Sequence, residues 1–407
     1  MEQLSRIRTL DLIRGIAVLG ILTVNVGSFA GPASGLYSPN LPHAGSTLDN
    51  WAFAFRLVFL EGKMRALFSI LFGASLLLFV ERREAVGCDG EGLQLRRLLW
   101  LALFGYLHFV LFWDGDILFL YACVGLGALI LRRAQPKAMI VLALATFTLW
   151  QAWGAATWVP SVSREARVMA GTATPKETAE HRRIIADYRA EDRADAAATL
   201  SGFTSEVRSR LSERPDYPLT MVAYNWGEAL SYMLIGMALL RSGFFSGAWN
   251  AVPLRALALG GAAAGLTLTL AFASWAHPRG YPELAMHMAL GYGLGIPHLL
   301  TALGYLALLV MAAPRLLASR LGLRLEAAGK TAFTNYLGST LLMCALFSGW
   351  GLGLFGQFST VQQIPFVLLA WAVMLGWSQP WLARFRHGPL EWLWRCLAEW
   401  RVKSLHR

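Results

Sequence analysis

One histidine and two aspartates stand close together in the sequence, in a pattern that suits proton transfer. His108 lies near the end of an apolar run, and Asp114 and Asp116 follow it in a short turn with Gly115 between them. An imidazole is the usual general base at neutral pH, and a neighbouring carboxylate can orient the ring and stabilise its charged form. We therefore predict that His108 is a catalytic base with Asp116 as its partner. The alternative is that both aspartates only cap the next helix.

A second pair of charges opens the chain's first apolar run. Asp11 and Arg14 are three residues apart, so they share one face of a helix. One interpretation is an ion pair that anchors this helix. The other is that Arg14 binds a phosphate or carboxylate, because its planar guanidinium forms two parallel hydrogen bonds with such groups.

Three more charges interrupt the next apolar run at Glu61, Lys63 and Arg65. The run is too long for one straight membrane helix, so we predict a break at this point. The charges either neutralise one another or form a cationic floor for an anionic substrate or cofactor, and we favour the cationic floor. An ionisable residue within a membrane span is costly, and this cost favours a functional role.

Four further polar residues lie within later apolar runs, namely Asn225, Glu228, His287 and His298. Such residues most often form hydrogen bonds between helices, so we expect them to support a site rather than react. Four scattered cysteines without CxxC spacing indicate no metal site, and no metal is expected. No nucleophile elbow, P-loop, HExxH or dinucleotide-binding motif occurs in a suitable context.

The elements that hold these residues are predicted from composition. The chain has 407 residues, of which 56% are hydrophobic and 15% charged, and this predicts an all-α polytopic membrane protein. Apolar runs long enough to cross a bilayer of ~30 Å give about ten transmembrane helices, the second of them broken. The spans cover about 11–29, 50–80, 97–113, 116–131, 138–157, 218–240, 250–275, 284–312, 331–348 and 364–383.

The net charge of +11 does not indicate nucleic-acid binding, because the basic residues form short clusters between the apolar runs. With the N-terminus inside, clusters such as those at Arg6, Arg82 and Arg132 all fall on one side, so both termini are predicted to be cytoplasmic. We expect a bacterial inner membrane as the location. The predicted segments are helices 1 to 5 in 1–157, an extracytoplasmic helical insertion in 158–216, helices 6 to 10 in 217–383 and a cytoplasmic amphipathic tail in 384–407.

Several motifs together resemble the YeiB-type membrane proteins and the domain of unknown function in their C-terminal half. The resemblance covers nearly the whole chain except 158–216. The motifs are Leu10-Asp11-Leu12-Ile13-Arg14-Gly15 with Asn25, Glu61-Gly62-Lys63-Met64-Arg65, Gly115-Asp116-Ile117-Leu118 with Tyr121, Gly329-Lys330-Thr331-Ala332 with Asn335, and Gly388-Pro389-Leu390-Glu391-Trp392.

That family is similar to a wider group of transmembrane acyltransferases, which includes the lysosomal heparan acetyltransferase and bacterial enzymes that acylate surface sugars. The resemblance implies that acyl-CoA binds from the cytoplasm and that an acceptor is reached from the other side. Arg14, Lys63 and Arg65 would then meet the phosphates of coenzyme A. Tyr121 and Asn335, which lie within the shared motifs, are expected to support the site.

The bacterial enzymes often carry a histidine where this chain has Asn25. An asparagine can orient an acceptor or stabilise an oxyanion, but it cannot accept a proton as a base. His108 or His43 must therefore take the proton, and His108 has the better carboxylate neighbour.

Three classes of function follow from these patterns. The first is an acyltransferase acting on a small-molecule, glycan or lipid acceptor. The second is a transporter or flippase, since a broken span and charges at membrane depth are also typical of secondary transporters. The third is a sensor or assembly factor that docks through 158–216. A lipid bilayer is the expected surrounding in each case, and a homodimer is left open.

Overall fold

The described part of the chain, residues 7–406 of a computed structural model, is built from α-helices and contains no β-sheet. Residues 1–6 and 407 are not described, so Arg6, which contributes to the topology prediction, lies outside the described residues. The all-α class predicted from composition is confirmed. The first half has helices α1 (Arg8–Ala30), α2 (Thr47–Phe59), α3 (Lys63–Glu84), α4 (Gly90–Leu111), α5 (Leu118–Ile130) and α6 (Pro136–Met169).

The rest of the chain adds the insertion and a second group of helices. The insertion consists of the end of α6 together with α7 and α8. The helices are α7 (Pro175–Thr199), α8 (Phe203–Glu213), α9 (Tyr217–Arg241), α10 (Ala251–Ala256), α11 (Ala262–Ala276), α12 (Glu283–Met288), α13 (Gly295–Leu317), α14 (Arg320–Lys330), α15 (Ala332–Phe347), α16 (Ile364–Arg384) and α17 (Pro389–Glu399). Short π-helical segments join α10 to α11 and α12 to α13.

Several of these helices are apolar and long enough to cross a bilayer, so the chain is a multi-pass membrane protein. Within the described residues six stretches meet both conditions, and a shorter apolar helix covers Ala332–Phe347. The six are Arg8–Ala30, Thr47–Glu84, Pro136–Met169, Ala251–Arg279, Gly295–Leu317 and Ile364–Arg384.

The second apolar run is broken where the sequence predicts. Helix α2 ends at Phe59, Gly62 has a φ of 71°, and α3 begins at Lys63. A side chain at position 62 would also collide with the ring of His298, because a Cβ there would lie 1.9 Å from Nδ1. Glycine is therefore required twice over, for the left-handed backbone and for the contact with α13.

Glycines also allow the central helices to approach each other closely. A Cβ at Gly329 would lie 1.8 Å from the carbonyl oxygen of Asp11, so α14 packs backbone to backbone on α1. Gly236 and Ile70 make the corresponding contact between α9 and α3. Small residues at helix crossings are how membrane helices gain van der Waals contact in the absence of a hydrophobic drive.

The insertion begins within α6, which continues as one helix to Met169 before the chain turns into α7. A capping box of Thr174 and Glu177 starts α7. The insertion folds back on the membrane helices: Glu165 accepts hydrogen bonds from the backbone N–H groups of Leu284 and Ala285, at 3.0 and 2.8 Å. It is thus anchored at the start of α12 and does not project freely.

Helix α4 connects two opposite ends of the protein, which we call the basic face and the insertion face. Near the start of α4, the carbonyl of Arg97 accepts a hydrogen bond from the indole of Trp394 in α17, and this end is the basic face. Beyond the end of α4, Phe112 offers its carbonyl to Arg210 of the insertion. A helix of this length spans about 33 Å, so the two faces are far apart.

Candidate active site

The predicted histidine and aspartate form a buried pair. His108, in the last turn of α4, is 2% exposed, and its Nδ1 lies 2.8 Å from Oδ1 of Asp116. The other carboxylate oxygen of Asp116 accepts the backbone N–H of Phe119 at 2.8 Å, so the aspartate also caps α5. The same carboxylate thus contacts the imidazole and the first turn of α5, and the second contact fixes its position beside the ring.

This pairing sets the chemistry of the histidine. A carboxylate only accepts hydrogen bonds, so the ring proton belongs on Nδ1 and the lone pair on Nε2. Nε2 is buried and has no hydrogen-bond partner among the described residues. A buried nitrogen with a free lone pair can accept a hydrogen bond or a proton from a group that enters the site.

Aromatic rings enclose His108. Its ring centroid lies 5.4 Å from that of Tyr336 in α15 and 6.3 Å from that of Trp113. Tyr336 forms part of the wall of a cavity on the basic side, and Trp113 forms part of the wall of a cavity on the insertion side. The His108–Asp116 pair therefore lies between two cavities and is separated from each by one layer of aromatic rings.

The cavity on the basic side, which we call the deep cavity, has a volume of about 230 Å³. Its inner part is mostly apolar and includes Phe68, Leu118, Tyr121 and Tyr336, whereas Arg14 and Arg97 lie in its walls as well. Tyr121 is held by a hydrogen bond of 2.7 Å to the hydroxyl of Ser69. The cavity therefore suits an elongated molecule with an apolar end.

A wider cavity of about 470 Å³, which we call the basic vestibule, adjoins the deep cavity and shares walls with it. Five basic side chains line the vestibule against one carboxylate, that of Glu391. The five are Arg82, Arg83, Arg97, Lys330 and Arg395. This excess of positive charge at the mouth of an apolar cavity favours an anionic ligand.

Arg97 is the most available of these cations. Its guanidinium lies over the rings of Trp394 and Phe79, at 4.3 and 4.0 Å from their centroids, and forms no ion pair with a described carboxylate. By contrast, Arg83 is engaged by Glu399 at 3.0 Å. Stacking holds the guanidinium of Arg97 in position without an ion pair. Such an arginine is suited to bind a phosphate group.

A third, small cavity of about 40 Å³ lies on the insertion face, and we call it the insertion cavity. Asp114, Asp195, Glu206, Arg210 and Arg214 contribute its charges. Arg210 donates hydrogen bonds to Glu206 at 2.6 Å and to the carbonyls of Val110 and Phe112, directly beyond His108 in the chain. Helix α8 thus holds the segment between His108 and Asp114.

Two atoms in the walls of the insertion cavity have no hydrogen-bond partner among the described residues, namely Nε1 of Trp113 and Oε2 of Glu206. Burial raises the pKa of Glu206, an effect that Arg210 opposes. Burial and the neighbouring Asp114 carboxylate raise the pKa of Asp195 to about 6. One unpaired donor and one unpaired acceptor can hold a hydroxyl or amino group next to the aromatic layer over His108.

The other predicted cofactor ligands separate from Arg14. Arg14 lines the deep cavity and pairs with Asp11 at 2.8 Å. Lys63 is fully buried and donates to the carbonyl of Leu57, and Arg65 pairs with Glu228 at 3.3 Å. Neither Lys63 nor Arg65 lines the deep cavity, the basic vestibule or the insertion cavity. The structure therefore does not bring these two cations to the same cavity as Arg14.

Two predicted residues lie on the insertion side but apart from the dyad. Asn25 stands one turn before Phe29, whose ring centroid lies 4.2 Å from that of Trp113. His43 is exposed in a loop that lines a separate cavity. Of the two histidines proposed as the base, only His108 has a carboxylate partner among the described residues.

The remaining polar residues support helix packing. Asn335 joins α15 to α16 through Ser378, 3.2 Å from its Nδ2, and accepts from the indole of Trp377 at 2.8 Å. Asn225 donates to a carbonyl in its own helix. Glu61 lies 3.8 Å from Arg56.

The two histidines of the eighth predicted span also have separate surroundings. His298 packs on Gly62, where a side chain would collide with its ring. His287 is stacked against the ring of Tyr37, with centroids 3.5 Å apart. Neither histidine lies beside His108.

Sequence reasoning missed several residues of this site. Arg97 is typical of a basic residue between apolar runs, which is the signal of membrane topology. Lys330 and Arg395 lie in or next to the shared motifs, but those motifs give them no role in a site. Tyr336 and Trp113 belong to apolar segments and carry no pattern that separates them from core aromatics. Their shared surroundings arise where α4, α5, α15 and α17 meet.

These features define a class: an all-α, multi-pass membrane protein with a buried His–Asp pair between cavities on opposite faces. Residues 239–401 match a family described as a protein of unknown function, DUF418. The chain is 31% identical over 399 residues to a protein of Escherichia coli (strain K12) named uncharacterized protein YeiB, across 96% of this chain and 95% of that protein. The chain belongs to the YeiB family of membrane proteins.

Two relatives from Bacillus species are similar to the chain over nearly the same length. Uncharacterized protein YxaH of Bacillus subtilis (strain 168) is 30% identical over 423 residues, across 96% of this chain and 93% of that protein. An uncharacterized 39.9 kDa protein in the amylase 3'region of Bacillus acidopullulyticus is 27% identical over 395 residues. No solved structure matches the chain significantly.

Proposed function

We propose that this protein is an acyltransferase that moves an acyl group from acyl-CoA on the basic face to an acceptor on the insertion face. The observation that supports this best is the position of the His108–Asp116 pair between cavities that approach it from both sides. Group transfer across a membrane needs one reactive centre that two substrates reach from opposite faces. A structural ion pair would not need either cavity.

The donor side fits the chemistry of coenzyme A. Its phosphates would meet Arg97, Lys330 and Arg395 in the basic vestibule, because arginine and lysine are the usual ligands of phosphate oxygens. The thioester arm would enter the deep cavity past Arg14 and end beside Tyr121 and Tyr336. This assignment replaces Lys63 and Arg65 as phosphate ligands and keeps Arg14.

The reaction then uses the free lone pair of His108. Nε2 takes the proton of the acceptor hydroxyl or amine as its oxygen or nitrogen forms a bond to the thioester carbonyl carbon. The carbon–sulfur bond breaks, and the imidazolium returns the proton to the departing thiolate. Asp116 stabilises the imidazolium in between, and rotation of Tyr336 and Trp113 opens the aromatic layer to the two substrates.

The acceptor is a small molecule, glycan or lipid that carries a hydroxyl or amine. Trp113 Nε1 and Glu206 Oε2 provide a donor and an acceptor for such a group. We place the protein in a bacterial inner membrane with about ten spans, the basic face and both termini in the cytoplasm, following the excess of basic residues.

This orientation is tested by cysteine labelling in intact cells. Cys88 is exposed in the loop between α3 and α4, on the basic face, and Lys176 is exposed in the insertion. A membrane-impermeant maleimide should label Lys176→Cys in intact cells and Cys88 only after permeabilisation. The reverse order would place the basic face outside.

The activity is tested with purified protein in lipid nanodiscs by measuring release of free coenzyme A from acetyl-CoA. We expect release by the wild type, loss in His108→Ala, and no change in His43→Ala, which serves as the matched control. Calorimetric titration with acetyl-CoA separates the outcomes further. Binding without release means that the acceptor is required, whereas neither binding nor release contradicts the proposal.

A transporter is the second candidate, and one observation favours it. The break at Gly62 packs directly against His298 of α13, one turn after the irregular backbone at Leu294. Interrupted helices that meet within a bundle are typical of secondary transporters. Uptake or release of a labelled acyl-CoA or lipid by proteoliposomes, with no free coenzyme A formed, would favour this function.

A further inference from the structure

A separate cavity on the insertion face carries an unassigned cation. The end of α1 and two loops, 31–45 and 356–363, enclose a volume of about 270 Å³, and we call it the loop cavity. Its walls hold hydroxyl and amide side chains and the exposed His43, and none of the described residues that line it carries a carboxylate. Since liquid water occupies about 30 Å³ per molecule, the cavity has room for a group larger than a single ion.

Arg56 of α2 forms one wall of the loop cavity although it is only 7% exposed. Its Nη2 donates to the carbonyl of Leu36 at 3.2 Å, and its Nε forms an ion pair with Glu61 at 3.8 Å, a distance too long for a hydrogen bond. Nη1 donates no hydrogen bond to a described residue. It lies beside Gly27, where a Cβ would approach it to 3.3 Å.

The N–H groups of Nη1 therefore remain available to an oxyanion that enters the loop cavity. Asp49, on the same helix, accepts instead from the backbone N–H groups of Ser46 and Val361. We propose that the loop cavity binds the oxyanion of a phosphate ester through Nη1 of Arg56. The amide of Gln363 and the hydroxyl of Thr360, which also line the cavity, can contribute further hydrogen bonds.

The same helix suggests where such a phosphate comes from. On α2, Leu48, Trp51 and Phe55 are exposed at helical spacing, so this side of the helix faces lipid while Arg56 faces the cavity. A phospholipid headgroup and a soluble phosphate ester both carry the required oxyanion. The site does not depend on acyl transfer, and its failure would leave the proposal for His108 unaffected.

The test uses the full chain purified in a maltoside detergent, which contains no phosphate. One arm titrates glycerol phosphate and follows binding by calorimetry. The other arm adds phosphatidylglycerol and counts retained lipid by native mass spectrometry. Binding in the first arm alone identifies a soluble ester, whereas retention of lipid that glycerol phosphate displaces identifies a headgroup.

We expect Arg56→Gln to weaken binding at least about tenfold, the loss typical of a hydrogen bond to a charged group. Arg279→Gln, which removes an exposed arginine outside the cavity, should bind as the wild type does. Ala44→Trp, at the exposed rim, should also reduce binding by filling the cavity while Arg56 stays in place.

Three results would overturn the proposal. The first is equal binding by the wild type and Arg56→Gln. The second is no binding of either ligand by the wild type up to about 10 mM, a concentration that detects even contacts of roughly 3 kcal/mol. The third is displacement by succinate as effective as that by glycerol phosphate, which would make the ligand a carboxylate.

Discussion

Nδ1 of His108 and Oδ1 of Asp116 lie 2.8 Å apart across the turn between α4 and α5, and the same aspartate caps α5 with its other oxygen. The helix cap therefore holds the carboxylate that orients the imidazole. A substitution at Asp116 therefore affects the imidazole of His108 and the start of α5. It also affects the deep cavity, because Leu118 of α5 forms part of the cavity wall.

Asp116→Asn should lower acetyl-CoA turnover by about 100-fold or more, because the amide can hydrogen-bond Nδ1 as a donor and turn the ring into the wrong tautomer. Asp114→Asn, two residues earlier, should cost less than about tenfold, since Asp114 faces Arg214 at 3.7 Å and not the histidine. Coenzyme A release with both purified variants measures this. Equal losses would contradict the assignment of Asp116 as the partner of the base.

Arg97→Gln should weaken acetyl-CoA binding by about tenfold, because an uncompensated guanidinium is lost from the basic vestibule. Arg133→Gln is the matched control, since its side chain is 81% exposed and lies outside the vestibule. Calorimetric titration at low and high salt compares the two. The wild type should lose affinity with salt more steeply than Arg97→Gln, and parallel slopes would argue against a phosphate contact.

Arg210→Gln should destabilise the protein by about 3–5 kcal/mol, because it leaves Glu206 as a buried charge without its partner. The carbonyls of Val110 and Phe112 lose their donor as well. Arg208→Gln, an exposed arginine on the same helix, should change stability by less than about 0.5 kcal/mol. Thermal unfolding followed by tryptophan fluorescence provides the measurement, and similar midpoints for both variants would show that α8 does not hold the turn.

Stability should depend on pH through Asp195. Its folded pKa of about 6 lies above its ordinary value, so the native protein keeps a proton that the unfolded chain releases, and stability falls as pH rises from about 4 to 6. Asp195→Asn, which stays neutral, should unfold with the wild type near pH 4.5 but about 2 °C above it at pH 7.5. Thermal scans at both pH values test this, and a constant difference would exclude titration of Asp195 as the cause.

Gly329→Ala should destabilise the packing of α14 on α1 by about 1–3 kcal/mol or more, because the new methyl group collides with the carbonyl oxygen of Asp11. Gly338→Ala is its control, since a Cβ there meets nothing within 4 Å. In that exposed helix position alanine should be neutral or stabilising by up to roughly 1 kcal/mol. A thermal midpoint that Gly329→Ala leaves unchanged would show that the two helices can separate without cost.

The helices and the proximity of His108 and Asp116 could be predicted from the sequence. Long apolar runs predict helices because a bilayer leaves no other way to satisfy the backbone, and Gly62 between Glu61 and Lys63 marks the break. His108 and Asp116 stand close enough along the chain for one turn to bring them together. Local spacing and composition decide such features.

The positions of the three predicted cationic ligands were only partly predictable. Arg14 lies in the wall of the deep cavity, but Lys63 and Arg65 do not, although all three stand in apolar runs. Lys63 turns back to the carbonyl of Leu57, and Arg65 meets Glu228 of α9. Which way a side chain leaves its helix depends on the neighbour, and that neighbour is distant in sequence.

By itself the sequence determined an all-α membrane protein, the break before α3, the charged insertion and a histidine with a carboxylate next to it. Only the tertiary structure decided that Tyr336 and Trp113 separate this pair from two cavities, that Arg97 and Arg395 share one vestibule, and that Arg56 turns towards the loop cavity. Periodicity and hydropathy are properties of one segment, so they survive in the linear sequence. A cavity is a property of several helices at once, and its walls are fixed only when close backbone contacts such as that of Gly329 with Asp11 set how those helices cross.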